Sequence, residues 1–174
     1  RLVPAYFHAD CGGSTSNARL HEFGDSAVLR AVPDVGAAGH LSLTDSWERI
    51  VPPEKLDRIS QAWGLGEHAL SLDIMQRDDF GRGVRAQFTG EEGSRAVPGD
   101  RIRAELGLPS ALITLIGVLR DGSLRVEGVG NGHGIGLCQL GALAQARAGR
   151  DARAILAHYY PGAQIEVLSD PIQP

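Results

Sequence analysis

The chain has 174 residues, of which 43% are hydrophobic and 22% charged, values that are ordinary for a soluble globular protein. Its net charge is −4 with Lys and Arg dispersed, which argues against a nucleic-acid partner, because such proteins carry a basic face that follows phosphates. No apolar stretch reaches the roughly 18 residues that indicate a membrane span, and the N-terminus lacks the apolar region of a signal peptide. We therefore predict a single domain over residues 1–174.

In its first part the chain is predicted to alternate short strands with loops. Residues 2–9 have a strand composition and run into CGGSTSNA, a polar loop dense in turn-forming residues. Two further strands are expected over 27–34 and 41–51. The prolines at 52–53 then begin a helix that ends at Gly64.

Hairpins and short helices are predicted for the rest of the chain. Hairpins are expected over 69–89 and 111–130, the second with an Asp-Gly turn. Helices are expected at 101–108 with Asp100 as N-cap, at 137–148 with Leu140 and Ala144 on its apolar face, and after Asp151, before a last strand at 164–169. The resulting fold class is α+β, mainly antiparallel hairpins with a few short helices.

A run of alternating glycines, Gly128 to Gly136, surrounds His133 before an apolar run. A dinucleotide loop is disfavoured, because the third glycine of G-x-G-x-x-G would fall at Gln139. Glycines remove side chains from one face, so that either a ligand approaches the backbone closely or strands pack tightly together. The helix that follows offers free N–H groups, which can hold an anion.

Two His–Cys pairs stand at strand exits, His8 with Cys11 and His133 with Cys138. Two imidazoles and two thiolates suit tetrahedral Zn²⁺, although their spacing matches no common zinc template. A Cys11–Cys138 disulfide in an oxidising compartment, or two buried thiols, explains the same residues.

Several segments resemble the stage II sporulation protein D (SpoIID/LytB) family, in the same order along nearly the whole chain. The most specific are F-H-x-x-C-G-G-x-T at 7–15 and G-H-G-x-G-x-x-Q-x-G-A at 132–142. The segments FGRGVRAQFTG, RIRAELGLPS and AILAHYYPGA fit as well. The resemblance implies a cell-envelope, extracytoplasmic protein that acts on peptidoglycan.

The family's enzymes are similar to lytic transglycosylases, which cleave the MurNAc–GlcNAc bond and leave an anhydro sugar. One carboxylic acid carries this chemistry, first as acid and then as base. The family's catalytic Glu lies upstream of the F-H-x-x-C-G-G motif, so no residue of this chain matches it and the domain is expected to be truncated at its N-terminus. The alternatives are a non-catalytic peptidoglycan-binding or amidase-enhancer module, working with an N-terminal segment or a cell-wall amidase, and a zinc-dependent hydrolase.

The resemblance also implies site residues. Asp79 and His133 are candidates for supporting catalysis. Zinc is the implied cofactor, held by His8, Cys11, His133 and Cys138, with the disulfide as the alternative. The residues expected to line a glycan cleft are Gly12, Gly13, Thr15, His133, Gly134 and Gln139.

Overall fold

The computed structural model describes residues 2–34 and 46–166. Within these ranges the α-helices are α1 (Pro53–Ala62), α2 (Gly99–Leu106), α3 (Gln139–Arg147) and α4 (Ala152–Tyr159). The strands in the same ranges are β1 (Phe7–His8), β2 (Ser46–Val51), β3 (Ala69–Arg77), β4 (Gly83–Gly90), β5 (Gly93–Pro98), β6 (Ile113–Val118), β7 (Leu124–Val129) and β8 (Leu137–Cys138). Helices and antiparallel hairpins together confirm the predicted α+β class.

Two antiparallel sheets of three strands form most of the regular structure, in the orders β2-β7-β6 and β3-β4-β5. The predicted hairpins are confirmed as β3–β4 and β6–β7. A third, two-stranded sheet pairs β1 with β8 in parallel, with Phe7 opposite Leu137 and His8 opposite Cys138. This short pairing joins the beginning of the chain to the glycine-rich segment.

Local signals place most helix ends correctly. Pro53 stands in the first turn of α1, where its missing N–H removes no intrahelical bond. Gly107 ends α2 in the left-handed conformation, and the Asp151 carboxylate accepts the N–H of Ala154 at the start of α4. The prediction of Asp100 as N-cap is wrong, because α2 begins at Gly99, two residues earlier than predicted, and its N-cap position is Pro98.

The strand predictions are less accurate at the two ends of the chain. The strand expected over 2–9 is reduced to β1, and residues 27–34 contain only an isolated bridge between Ser14 and Pro33. The segment GEEGSRAVPGD at 90–100 is predicted to be a turn from its composition, but its residues Gly93–Pro98 continue the second sheet as β5. Residues 164–166 form no strand, while 167–169 and 41–45 lie outside the described residues.

Two hydrophobic clusters organise the interior. The larger one joins the two three-stranded sheets with α1 and α2, and its fully buried members include Phe88, Ile102 and Val126. The smaller one packs residues of the N-terminal loops against α4, and its fully buried members include Tyr159 and both cysteines. Among the described residues, no helix combines the length and the apolar character needed to cross a bilayer.

Candidate functional site

The pairing of β1 with β8 assembles the candidate site from two segments that lie far apart in sequence. The Leu137 N–H donates to the Tyr6 carbonyl at 3.0 Å, and the Leu140 N–H donates to the Ala9 carbonyl at 3.1 Å. Just beyond β1, the Asp10 and Asn131 backbones exchange hydrogen bonds of 2.9 and 2.8 Å. The first residues after β1 are therefore fixed against the glycine-rich segment and the start of α3.

A three-residue cluster of metal-binding side chains lies at this junction. One ligand atom each of His8, Cys11 and Cys138 falls within 4.8 Å of the others, and all three residues are buried. The His8 Nδ1 faces the Ile135 carbonyl at 3.3 Å, while the buried Nε2 has no hydrogen-bond partner among the described residues. Burial, together with the Arg82 charge, lowers the pKa of His8 to about 3, which keeps the imidazole in the neutral form that binds metals.

Backbone N–H groups surround the two sulfur atoms. The Cys138 sulfur accepts from the Cys11 N–H at 3.3 Å and from the Gly141 N–H at 3.4 Å. The Cys11 sulfur accepts from the Gly13 N–H at 3.4 Å. Because Cys138 is also the N-cap of α3, the helix dipole favours negative charge on its sulfur.

These donors fit a soft divalent metal such as Zn²⁺. The Nε2 of the neutral His8 ring has no hydrogen-bond partner among the described residues, and both sulfurs accept backbone N–H groups. Without a cation, the hydrogen bond with Cys138 and burial raise the pKa of the Cys11 thiol. Both cysteines are free in the structure, and the predicted disulfide stays a prediction.

His133, the fourth ligand expected from the sequence, lies beside the cluster but outside this group of three. Its ring centroid is 5.5 Å from that of His8 and 4.8 Å from that of Phe23. Its Nε2 donates to the Phe7 carbonyl at 3.1 Å, and its Nδ1 accepts the Ile135 N–H at 3.0 Å. Both nitrogens therefore hold backbone groups in place.

Two open grooves border the segment between β1 and Thr15. One, of about 230 Å³, is lined by Gly12, Gly13, Phe80 and Arg82 with Ser14 and Leu112. Phe80 is 43% exposed and presents an apolar ring beside the glycine backbone.

The other groove, of about 340 Å³, carries several hydrogen-bonding side chains. Its lining includes Asp10, Asn131 and Gln139, with the Trp47 indole as its aromatic member. Carboxylates, amides and an aromatic ring are groups that can recognise hydroxyl-rich ligands.

Three of the six residues predicted to bind glycan line these two grooves. Gly12 and Gly13 line the smaller groove, and Gln139 lines the larger one. Thr15 is fully buried, and its hydroxyl accepts the Val32 N–H at 2.8 Å. Gly134 is buried against the Arg82 guanidinium.

Arg82 is the largest fully buried side chain among the described residues. It links the loop after β1 to the glycine-rich segment before β8. Its guanidinium donates to the Cys11 carbonyl at 2.8 Å and lies 3.5 Å from the Gly132 carbonyl. Burial lowers the pKa of this group from an ordinary value of 12.5, and the carboxylates of Asp78 and Asp100 oppose the shift. Arg82 therefore places a positive charge next to the backbone of Cys11, a member of the metal-binding cluster.

Next to Arg82, a buried His21 lies between two carboxylates. Its Nδ1 is 3.1 Å from the Asp100 carboxylate, and its Nε2 is 3.9 Å from that of Asp78. Asp78 also accepts the Ser16 hydroxyl and the N–H groups of Phe80 and Arg82, at 3.0 and 2.8 Å. Burial raises the pKa of Asp78, but the hydrogen bonds outweigh it and bring the value to about 2. The neighbouring Asp79, the candidate from sequence, is exposed.

Sequence reasoning missed three buried polar residues of this region: Asp34, His21 and Arg82. Each is joined to the site by contacts that cross 23 or more positions, such as the bond from Arg82 to Cys11 or that from the Cys11 thiol to Asp34. The one available signal is the Arg in FGRG, which stands two residues after an exposed aromatic in a tight turn. Asp34 follows Pro33 and looks like an ordinary turn residue.

Comparison with known proteins gives two relatives. The chain is 39% identical over 71 residues to the protein named "Amidase enhancer" of Bacillus subtilis (strain 168). This aligned segment covers 40% of the present chain and 10% of that protein. It is also 40% identical over 174 aligned positions to an uncharacterised protein of Brachyspira hyodysenteriae (strain ATCC 49526 / WA1). This alignment covers 95% of the present chain and 44% of that protein. The chain thus spans less than half the length of either relative, and no family model matches it.

Proposed function

We propose that the chain is an extracytoplasmic, SpoIID/LytB-like module that binds peptidoglycan glycan strands and takes part in cell-wall remodelling. The observation that carries this proposal is the similarity of the chain to the protein named "Amidase enhancer", which agrees with the family resemblance of its motifs. The motifs F-H-x-x-C-G-G and G-H-G-x-G-x-x-Q, which carry the resemblance to the family, lie side by side through the β1–β8 pairing.

The grooves supply the binding chemistry in this proposal. At the smaller groove, the exposed Phe80 ring offers an apolar face on which a sugar ring can stack, and Gly12 and Gly13 leave the backbone open to it. At the larger groove, Asp10, Asn131 and Gln139 offer hydrogen-bond partners for hydroxyl and N-acetyl groups. Because both grooves border the same loop, a polymer of sugars could occupy the two together.

A metal in the His8, Cys11 and Cys138 cluster would stabilise the loop that lines the two grooves. A bound Zn²⁺ would cross-link β1, the following loop and the start of α3, and so would hold the groove-lining loop in place. The chain's own residues do the remaining work: Arg82 fixes the Cys11 carbonyl, and His133 fixes β1 through the Phe7 carbonyl.

Two activities of the whole protein are compatible with such a module. As an amidase enhancer, it would bring a cell-wall amidase to its substrate. As a lytic transglycosylase, it would need a general acid, and the family's Glu has no counterpart in this chain. The name of the Bacillus subtilis relative favours the first activity.

One experiment separates the two activities. Full-length protein is incubated with denuded glycan strands, and in parallel with intact peptidoglycan and a cell-wall amidase. Enhancement predicts faster release of stem peptides with no new glycan ends. Anhydro-muramyl ends detected by mass spectrometry would instead establish the transglycosylase. If neither product changes and the protein does not bind glycan, the proposal is wrong.

A further inference from the structure

A third groove lies between α1 and α2 and carries a local excess of positive charge. Its volume is about 390 Å³, within the roughly 300–1,000 Å³ of typical ligand pockets. Lys55 and Arg58 line it from α1, and Arg101 lines it from α2. The carboxylate of Glu105 is the one acidic group of the lining, so three cations and one anion give a net charge of +2. The whole chain, by contrast, has a net charge of −4.

Most of this positive charge is not neutralised within the described part of the chain. The ion pairs found in residues 2–34 and 46–166 include neither Lys55 nor Arg58, which lie three positions apart on α1. Arg101 pairs with Glu105 at 2.6 Å, but its side chain remains 59% exposed. Because neighbouring like charges on a helix are destabilising, this arrangement favours an acidic ligand that offsets them.

The same groove has an apolar part, formed by Ile59, Ala62 and Trp63. The Trp63 indole packs against the larger hydrophobic cluster, with its ring centroid 5.4 Å from that of Phe88. The Arg95 guanidinium lies over the indole, 5.5 Å from the ring centroid, and brings a fourth cation close to the groove. Trp and Arg are the side chains that most often dominate the binding energy of protein interfaces. The groove therefore combines an apolar contact surface with positive charge at its border.

We propose that this groove docks an acidic, amphipathic segment of a partner protein. One large apolar side chain of that segment would contact Trp63 between the two helices. Its carboxylates would pair with Lys55, Arg58 and Arg101, because complementary charges around an apolar contact guide and orient a partner. A polymer of phosphates would use the cations alone and would leave the apolar part of the groove unused.

This inference goes beyond the proposed function and rests on no step of it. No residue that lines the groove between α1 and α2 lines either of the two grooves that border the loop after β1. Docking of a partner protein and binding of glycan therefore use different residues and can be measured separately.

Selection from a random library of linear peptides displayed on phage tests the proposal. The wild-type protein is the bait, and the enriched peptides are synthesised and their Kd values measured by fluorescence anisotropy. Arg58→Glu reverses one charge of the groove at an exposed position of α1. Arg153→Glu is the matched control, because it makes the same reversal at an exposed position of α4 outside the groove.

The enriched peptides should share at least two Asp or Glu residues within about four positions of an aromatic or aliphatic residue. Arg58→Glu should weaken their binding at least about 5-fold, whereas Arg153→Glu should bind them like the wild type. Replacing the shared apolar residue of a peptide by Ala should weaken binding at least about 10-fold, because its burial is lost.

Three results would overturn the proposal. The first is a selection that enriches no acidic peptides, and the second is equal weakening by Arg58→Glu and Arg153→Glu. The third is unchanged binding of the alanine-substituted peptide, or binding of inorganic polyphosphate as tight as that of the selected peptides, since either would show attraction by charge alone. This third comparison uses only the wild-type protein, so it decides the matter even if Arg58→Glu fails to fold.

Discussion

The β1–β8 junction can be tested by adding one methyl group at Gly136. This glycine has φ +74°, and a Cβ built on it would lie 2.1 Å from the Tyr6 carbonyl oxygen. That oxygen accepts the Leu137 N–H at 3.0 Å and the Tyr160 hydroxyl at 2.7 Å. The new methyl group of Gly136→Ala therefore clashes with the Tyr6 carbonyl oxygen, which links the segment before β1 to β8 and to the end of α4.

The cost has three parts. The left-handed backbone costs roughly 1–2 kcal/mol for a residue with a Cβ. Overpacking against a backbone atom adds about 1–3 kcal/mol. Loss of the two hydrogen bonds adds about 0.5–1.5 kcal/mol each. The total of roughly 3–8 kcal/mol is comparable with the whole stability of a small protein, about 5–15 kcal/mol.

Gly149→Ala is the matched control, because Gly149 has φ +87° and open space around its Cβ position. It should lose only the backbone part, about 1–2 kcal/mol. Urea unfolding followed by circular dichroism measures both variants, and Gly136→Ala should be the less stable by at least about 2 kcal/mol. Equal losses in the two variants would refute the close approach of β1 to the glycine-rich segment.

Three further predictions concern pH, metal and packing. Burial lowers the pKa of His21, but the carboxylates of Asp100 and Asp78 outweigh this effect and raise the pKa above its ordinary value of 6.5. The protonated ring therefore stabilises the fold fully below pH 6.5, and this stabilisation is lost as the pH rises through the folded-state pKa. In urea unfolding, wild type and His21→Gln should therefore differ most below pH 6.5 and converge in alkali, and a difference that grows with pH would contradict this. A chelator should lower the Tm of the metal-loaded protein, because free metal at 100 times its Kd adds about 2.7 kcal/mol to the free energy of unfolding. An unchanged Tm would argue against a stabilising ion. Phe88→Ala, at the centre of the larger cluster, should cost about 3–5 kcal/mol in urea unfolding, and a loss below about 1 kcal/mol would show that this ring is not buried as described.

The elements that the sequence predicts well are those with local signals. Pro53, Gly107 and Asp151 each determine a helix end through their own backbone or side chain. The strand β5 was missed because GEEGSRAVPGD is rich in turn formers, and its pairing with β4 depends on tertiary context. Helix α3 contradicts its expected apolar face, since Leu140 is 51% exposed while Gln145 is buried. The cause is the bond from the Gln145 amide to the buried Tyr159 hydroxyl, which no periodicity reveals.

The candidate site shows the same division. Its unusual residues, His8 and Cys11 in one segment and Cys138 in another, were visible from the sequence, and the structure brings these three together. The roles of Asp34 and Arg82 were not visible, because ordinary turn residues acquire them only when distant loops meet. Spacing alone also could not distinguish His133, which binds backbone groups, from a side chain with a free nitrogen such as His8.

Binding to purified peptidoglycan tests the central claim most directly. Wild-type protein should sediment with insoluble peptidoglycan, and Phe80→Ala should bind at least several-fold more weakly because it removes the exposed ring of the smaller groove. Met75→Ala, which truncates a side chain that is 61% exposed on β3, is the matched control and should bind like the wild type. No sedimentation of the wild type, or equal binding by Phe80→Ala and Met75→Ala, would contradict glycan recognition at this groove.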